Sequence, residues 1–192
     1  MRKIAVFASG SGSNFEAIAA AIENGQLEAE VALVVCDRPG AKVEKRAERY
    51  GIPVLSFNPK SYESKADFET FLLQQLNEAG IEWIFLAGYM RLIGPTLLQG
   101  FEGRIVNIHP SLLPAFPGKD AIGQAFEAGV KITGVTVHFV DEGMDTGQII
   151  DQDSVRIYEG DTKEDLGRKI QAVEHLLYPA VIRSLLQEKI KR

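Results

Sequence analysis

Asn107-Ile108-His109-Pro110 sets an amide and an imidazole two positions apart at the end of the apolar run Arg104 to Ile108. Side chains alternate along a strand, so Asn107 and His109 share one face while Ile108 points into the opposite layer. Ligands in open α/β sheets bind beyond the carboxyl ends of strands, which is where this pair falls. An amide N–H and an imidazolium N–H on one face suit the oxyanion of acyl transfer. The pair could equally satisfy loop backbone groups at a strand end, and spacing alone does not separate the two readings.

A histidine in this role needs an acid to orient it and keep its proton. The loop Asp141-Glu142-Gly143-Met144-Asp145-Thr146-Gly147 offers Asp141, Glu142 and Asp145, and position does not choose among them. No protein nucleophile is expected. There is no G-x-S-x-G elbow, Ser111 carries no mark of activation, and Cys36 closes the run Val31-Ala32-Leu33-Val34-Val35 as a buried structural thiol would. The histidines, at 109, 138 and 175, form no ligand spacing, so no metal is expected. His138 is expected in a supporting position and His175 in helix packing. Acyl transfer here would rely on the substrate's own amine as the attacking group.

Ser9-Gly10-Ser11-Gly12-Ser13-Asn14 is the other chemical feature. It lies between a strand and a helix, where small residues let backbone approach a ligand and the helix N-terminus offers free N–H groups. Ser13 or Asn14 could instead simply cap that helix. Gly10-Ser11-Gly12 also begins a dinucleotide fingerprint, with Asp37 ending the next strand. Phe15 occupies the position where that fingerprint needs glycine or alanine, so a monophosphate fits better than a pyrophosphate.

The elements that must position these residues alternate as in βαβ units. Strands are expected at Ile4 to Ala8, Val31 to Cys36, Val54 to Phe57, Trp83 to Ala87 and Arg104 to Ile108. Helices are expected from about Asn14 to Asn24, Lys42 to Tyr50 and Lys65 to Ala79. After Pro110 come an irregular loop, a helix near Ala121 to Ala128, and extended stretches at Thr133 to Val140 and Gly147 to Ile157. That last pair suggests an antiparallel addition, and Thr162 opens a long closing helix. The expected class is α/β: a Rossmann-like, open, mostly parallel twisted sheet flanked by helices, with an antiparallel C-terminal addition. One domain spanning 1–192 is expected, without repeats or linker.

Composition narrows the function classes. A formal net charge of -5 at pH 7 gives no basic face for nucleic acid. A single cysteine precludes an internal disulfide and suits a reducing compartment. No signal peptide is evident, and nothing approaches the ~20 apolar residues of a membrane span. A cytoplasmic location follows as the expectation.

Together these residues resemble the phosphoribosylglycinamide formyltransferase family, the folate-dependent glycinamide ribonucleotide transformylases. The resemblance is carried in order by Ser9-Gly10-Ser11-Gly12-Ser13-Asn14, Leu86-Ala87-Gly88-Tyr89-Met90-Arg91-Leu92-Ile93 and Asn107-Ile108-His109-Pro110-Ser111-Leu112-Leu113-Pro114. Gly134 to Val140, Asp145-Thr146-Gly147 and Glu174-His175 continue it over nearly the whole chain.

The resemblance implies the formyltransferase fold and transfer of formyl from 10-formyltetrahydrofolate to the amine of glycinamide ribonucleotide, in purine synthesis. It implies Asn107, His109 and Asp145 as catalytic residues. Gly12, Ser13, Asn14, Gln171 and Glu174 would bind the ribonucleotide. Lys65, Met90, Arg91, Leu92, Ile93, Asn107, Val140, Asp141, Glu142 and Asp145 would bind folate, with Lys65 where relatives often carry Arg. By this resemblance residues 1–100 would be the phosphate-binding half and 101–192 the catalytic and folate-binding half. The partners expected are these small molecules, not nucleic acid or membrane, acting on a monomer or homodimer.

Methionyl-tRNA formyltransferase and formyltetrahydrofolate deformylase share the Asn, His and Asp. The first adds a basic C-terminal domain and the second an N-terminal regulatory domain, and this chain is expected to hold neither. In a nucleotide-binding module without chemistry, the pair and the acidic loop would be incidental.

Overall fold

Each run rich in Val, Ile and Phe becomes a strand: β1 (Arg2–Ala8), β2 (Ala29–Cys36), β3 (Val54–Ser56), β4 (Trp83–Leu86) and β5 (Ile105–His109). The computed structural model describes residues 1–187, and these strands run parallel. β6 (Ile132–Phe139) and β7 (Ile149–Arg156) add antiparallel, giving one sheet in the order β3-β2-β1-β4-β5-β6-β7. The antiparallel addition and the mostly parallel α/β class therefore match the expectation.

Alternation along β1 explains the layering. Ile4, Val6 and Ala8 enter one core with Val106, Ile108, Val135 and Val137, covered by α1 (Ser13–Glu23), α2 (Lys42–Arg49) and α6 (Lys163–Gln187). Ala5 and Phe7 enter the other with Val35, Ile84 and Ile105, under α3 (Lys65–Glu78) and α4 (Pro95–Gly100). A further helix, α5 (Ala121–Glu127), packs against α6. The chain leaves β1 towards β2 on one side and reaches β4 on the other, so the order reverses between β1 and β4. Such a switch point opens a crevice at the strand ends. The glycine-rich turn follows β1 there, and the Gly88 to Gly94 loop follows β4.

Two local features depart from the periodicity reading. Helix α4 and a 3-10 turn at Pro59–Ser61 are too short to show a helical pattern. The N-cap of α1 is Gly12, in a left-handed conformation with φ 75°, rather than Ser13 or Asn14. A Cβ at Gly12 would lie 2.6 Å from Val43 Cγ2, so close packing of α2 reserves this position for glycine.

Helix α6 is registered by Tyr178, whose side chain is fully buried. Its hydroxyl is shared between the carbonyls of Leu86 (2.8 Å), at the end of β4, and Val106 (3.1 Å), near the start of β5. Glu174 sits one turn earlier on the same helix. Tyr178→Phe should lower stability by about 0.5–1.5 kcal/mol, the usual net value of a buried neutral hydrogen bond, as read from urea unfolding midpoints.

Candidate functional site

Asn107 and His109 point away from Ile108, which lies in the α1/α6 core. Asn107 pairs with Leu86 on β4 and with His138 on β6, placing it level with the strand ends at the switch point. The Asn107 amide Nδ2 is 3.3 Å from His138 Nε2. His138 Nδ1 is 2.7 Å from the Phe139 carbonyl, which can only accept, so that nitrogen carries the proton and Nε2 accepts from Asn107. Burial also pushes the His138 ring below the ordinary histidine value, outweighing Asp145, which pulls it upward. The result is a neutral imidazole that fixes which way the Asn107 amide faces.

His109 is 5% exposed. Its Nε2 donates to the Phe116 carbonyl at 2.9 Å, and its Nδ1 faces Asp145 Oδ2 at 3.5 Å. Asp145 Oδ1 lies 3.8 Å from His138 Nε2, while Oδ2 accepts from the Gly118 amide at 2.8 Å. Asp145 has a left-handed backbone, φ 57°, which aspartate tolerates better than most residues. The loop after β6 thereby folds back over β5.

The other acids of that loop do something else. Asp141 accepts from the Gly143 amide at 3.0 Å and the Thr146 hydroxyl at 2.6 Å, shaping the turn, and Glu142 is exposed. Geometry thus brings Asp145, and neither neighbour, to the histidines. Ser111 Oγ donates to the Ala115 carbonyl at 2.6 Å and is fully buried. Cys36 is buried against the Arg38 carbonyl, and burial pushes its thiol up, which keeps it unreactive. Among the described residues no group of His, Cys, Asp and Glu could hold a metal ion.

A second cluster forms where α1 starts. The first amides of α1, from Ser13 onward, have no intrahelical acceptor, and no side chain caps the helix. Gln171 donates to Ser13 Oγ at 3.1 Å, and Asn14 Nδ2 donates to Glu174 Oε2 at 3.3 Å. Asn14 Oδ1 is buried without a partner. Residues 12–14 and the two α6 side chains, far apart in sequence, therefore enclose one polar patch beside free helix amides, which suits an anion and a polyol.

The β4 loop forms the third wall. Met90 and Leu92 are 60% and 48% exposed, whereas Ile93 is buried. Arg91 Nε donates to Asp37 at 2.9 Å, and Ser9 Oγ donates to the same carboxylate at 2.5 Å. Asp37 is therefore committed internally and not free for a ribose, consistent with rejecting the dinucleotide reading. Val140 is tied by its amide to the Ile105 carbonyl at 3.0 Å. Lys65 opens α3, exposed, and one turn further the Phe68 ring lies 6.0 Å from the Arg91 guanidinium carbon.

Three contributors escaped spacing arguments. Phe116 acts through its carbonyl, Asp37 through a contact 54 positions away, and Glu69 as a buried acid inside an ordinary helical pattern. None carries a local signal, because each works through tertiary contact.

A family model described as formyl transferase matches residues 2–182. A Bacillus subtilis (strain 168) protein named phosphoribosylglycinamide formyltransferase is 59% identical over 186 residues, covering 97% of this chain and 95% of that protein. The crystal structure of glycinamide ribonucleotide transformylase 1 from Geobacillus kaustophilus superposes with a TM-score of 0.95 at 63% identity, covering 97% of this chain and 99% of that one. Phosphoribosylglycinamide formyltransferase from Bacillus halodurans gives a TM-score of 0.95 at 59% identity, covering 97% and 96%.

Burial pushes the Glu174 carboxyl up from its ordinary 4.5 to about 7, against the opposing pull of the Asn14 amide. Such a group holds its proton more tightly folded than unfolded. Its stabilising contribution is full below 4.5 and is lost as pH rises through about 7. Glu174→Gln should therefore lose less Tm than the parent between about pH 5 and about pH 8 in thermal melts.

Proposed function

The chain belongs to the formyl transferase family, and we infer that it passes the formyl group of 10-formyltetrahydrofolate to the amine of glycinamide ribonucleotide. The products are formylglycinamide ribonucleotide and tetrahydrofolate, a step of purine (IMP) synthesis. The observation that carries this reading is the meeting of Asn107, His109 and Asp145 at the switch point, beside an uncapped helix N-terminus. One domain suffices for both substrates. Its two halves interleave, since Gln171 and Glu174 reach back to α1.

The ribonucleotide phosphate would lie on the amides of Gly12, Ser13 and Asn14, with Gln171 alongside and Glu174 towards the ribose hydroxyls. Folate would enter against Met90 to Ile93 and the Val140 to Asp145 loop, with Lys65 a cation for its anionic tail. The acceptor and donor then approach the strand ends from opposite sides of the sheet, with Asn107 between them.

Attack of the amine on the formyl carbon moves the carbonyl electrons onto oxygen. Asn107 has a second N–H free for that oxyanion, because His138 takes only one. His109 can join only if its Nε2–H leaves the Phe116 carbonyl for the substrate oxygen. Asp145, facing Nδ1, stabilises the ring while it carries both protons. Collapse of the intermediate breaks the bond to N10, which takes up the proton released by the amine. No enzyme nucleophile takes part. Small polar substrates and one buried thiol favour a cytoplasmic enzyme.

A coupled assay with both substrates, beside a control lacking the ribonucleotide, tests the reading. Tetrahydrofolate release that needs the ribonucleotide is expected; equal release without it would identify a deformylase, and none in either would remove the enzymatic reading. Asn107→Ala should cut kcat by ~10²–10³, the usual loss for one oxyanion donor. Near-full turnover in that variant would contradict the role.

A further inference from the structure

We propose that Asp37 and Glu69 are positioning residues for the folate co-substrate, two buried carboxyl groups that clamp the Gly88 to Gly94 loop at either end. The inference rests on reading that loop as one wall of the folate pocket.

At the first end, Asp37 is 4% exposed. One of its oxygens accepts from Ser9 Oγ at 2.5 Å, and the same hydroxyl accepts from the Met90 amide at 2.9 Å. Its other oxygen accepts from Arg91 Nε at 2.9 Å. The Ser9 amide completes the tie by donating to the Gly88 carbonyl at 3.1 Å. One carboxylate thus ties β1 to both Met90 and Arg91.

At the far end, Glu69 of α3 is 2% exposed and accepts from the Gly94 amide at 2.6 Å and from the Leu97 amide at 3.4 Å. It supplies the cap that α4 lacks from its own sequence. Gly94 has ordinary negative φ, yet a Cβ there would lie 2.8 Å from Glu69 Oε2. The acid, not backbone conformation, explains this glycine.

Burying a carboxyl group demands partners, and the partners here belong largely to the loop and its borders. The segment between the clamps nonetheless holds Met90 and Leu92 out towards solvent. An apolar, exposed loop pinned from beneath is pre-organised, so less ordering is lost when a planar ligand settles on it. The clamp should therefore govern affinity for folate and leave the chemistry at Asn107 and His109 alone.

Asp37→Asn keeps the shape but turns an N–H towards either Ser9 or Arg91, both donors. Glu69→Gln keeps one acceptor for Gly94 and loses the second. Ser9→Ala removes only the hydroxyl joining Asp37 to Met90. For Asp37→Asn, tetrahydrofolate Kd by calorimetry and KM for the formyl donor should both rise about tenfold, or about 1.4 kcal/mol. KM for the ribonucleotide and kcat should stay within about twofold, the pattern of lost ground-state binding. Glu69→Gln and Ser9→Ala should move the same two constants by less, and they carry the test should Asp37→Asn fail to fold. Unchanged tetrahydrofolate affinity across the folded variants, an equal rise in both KM values, or a fall in kcat alone would overturn the proposal. A parent enzyme without formyl transfer would instead remove the functional reading on which it rests.

Discussion

Four polar side chains stand on one face of β5 and β6, and the need to partner them organises the loops around these two strands. Asn107, His109, Thr136 and His138 occupy positions where the opposite face carries Val106, Ile108, Val135 and Val137. Buried polar groups must be hydrogen-bonded, and the segments after β5 supply partners for two of these side chains. Thr136 Oγ1 donates to the Ser111 carbonyl at 2.7 Å and receives the Leu113 amide at 3.0 Å, which sets the path after β5. His109 then holds the Phe116 carbonyl and faces Asp145, which the Gly118 amide also ties down. A valine at any of these positions would pack more easily. It would also leave the loops without an anchor.

Much of this was legible along the chain, for physical reasons. The parallel strands are buried on both faces, so they read as continuous apolar runs. Asn107 and His109 could be placed on one face because strand periodicity is strict. Asp145 could not be separated from Asp141 and Glu142 by spacing, since a loop has no period; the resemblance to a family singled it out, and the structure brings it to His109. Gly12 illustrates the other limit. Its identity was visible as part of a small-residue turn, but the reason for it, contact with Val43 on α2, is tertiary. Asp37 and Glu69 were hidden for the same reason. Asp37 read only as the acid of a dinucleotide fingerprint and Glu69 sits inside an amphipathic helix, so neither internal role shows until the fold is assembled.

The acids of the site are handled in contrasting ways. Asp145 faces His109 Nδ1 at 3.5 Å and accepts from the Gly118 amide at 2.8 Å. Glu174 is half-buried beside a neutral amide, and desolvation dominates, so its proton is held to about 7. The two environments lie on opposite sides of the sheet. In the proposed reaction the first would assist proton movement, while the second would meet sugar hydroxyls with its proton held to about 7.

His109 shows how the site balances order against reactivity. Nε2 has the Phe116 carbonyl as acceptor and Nδ1 faces Asp145 at 3.5 Å, so the ring is held in place, and preorganisation of this kind removes a cost from a reacting step. The same arrangement keeps its N–H from an oxyanion until the Phe116 carbonyl is exchanged. Phe116 itself has φ 53°, a conformation rarely adopted by a bulky residue, and Ser111 Oγ shares the same carbonyl at 3.2 Å. Asn107, by contrast, has its amide set by a neutral His138 and one N–H left over. The two donors are thus not equivalent. In the proposed reaction Asn107 would be ready as it stands, and His109 would become ready through an exchange that a developing negative oxygen, a stronger acceptor than a peptide carbonyl, is suited to drive.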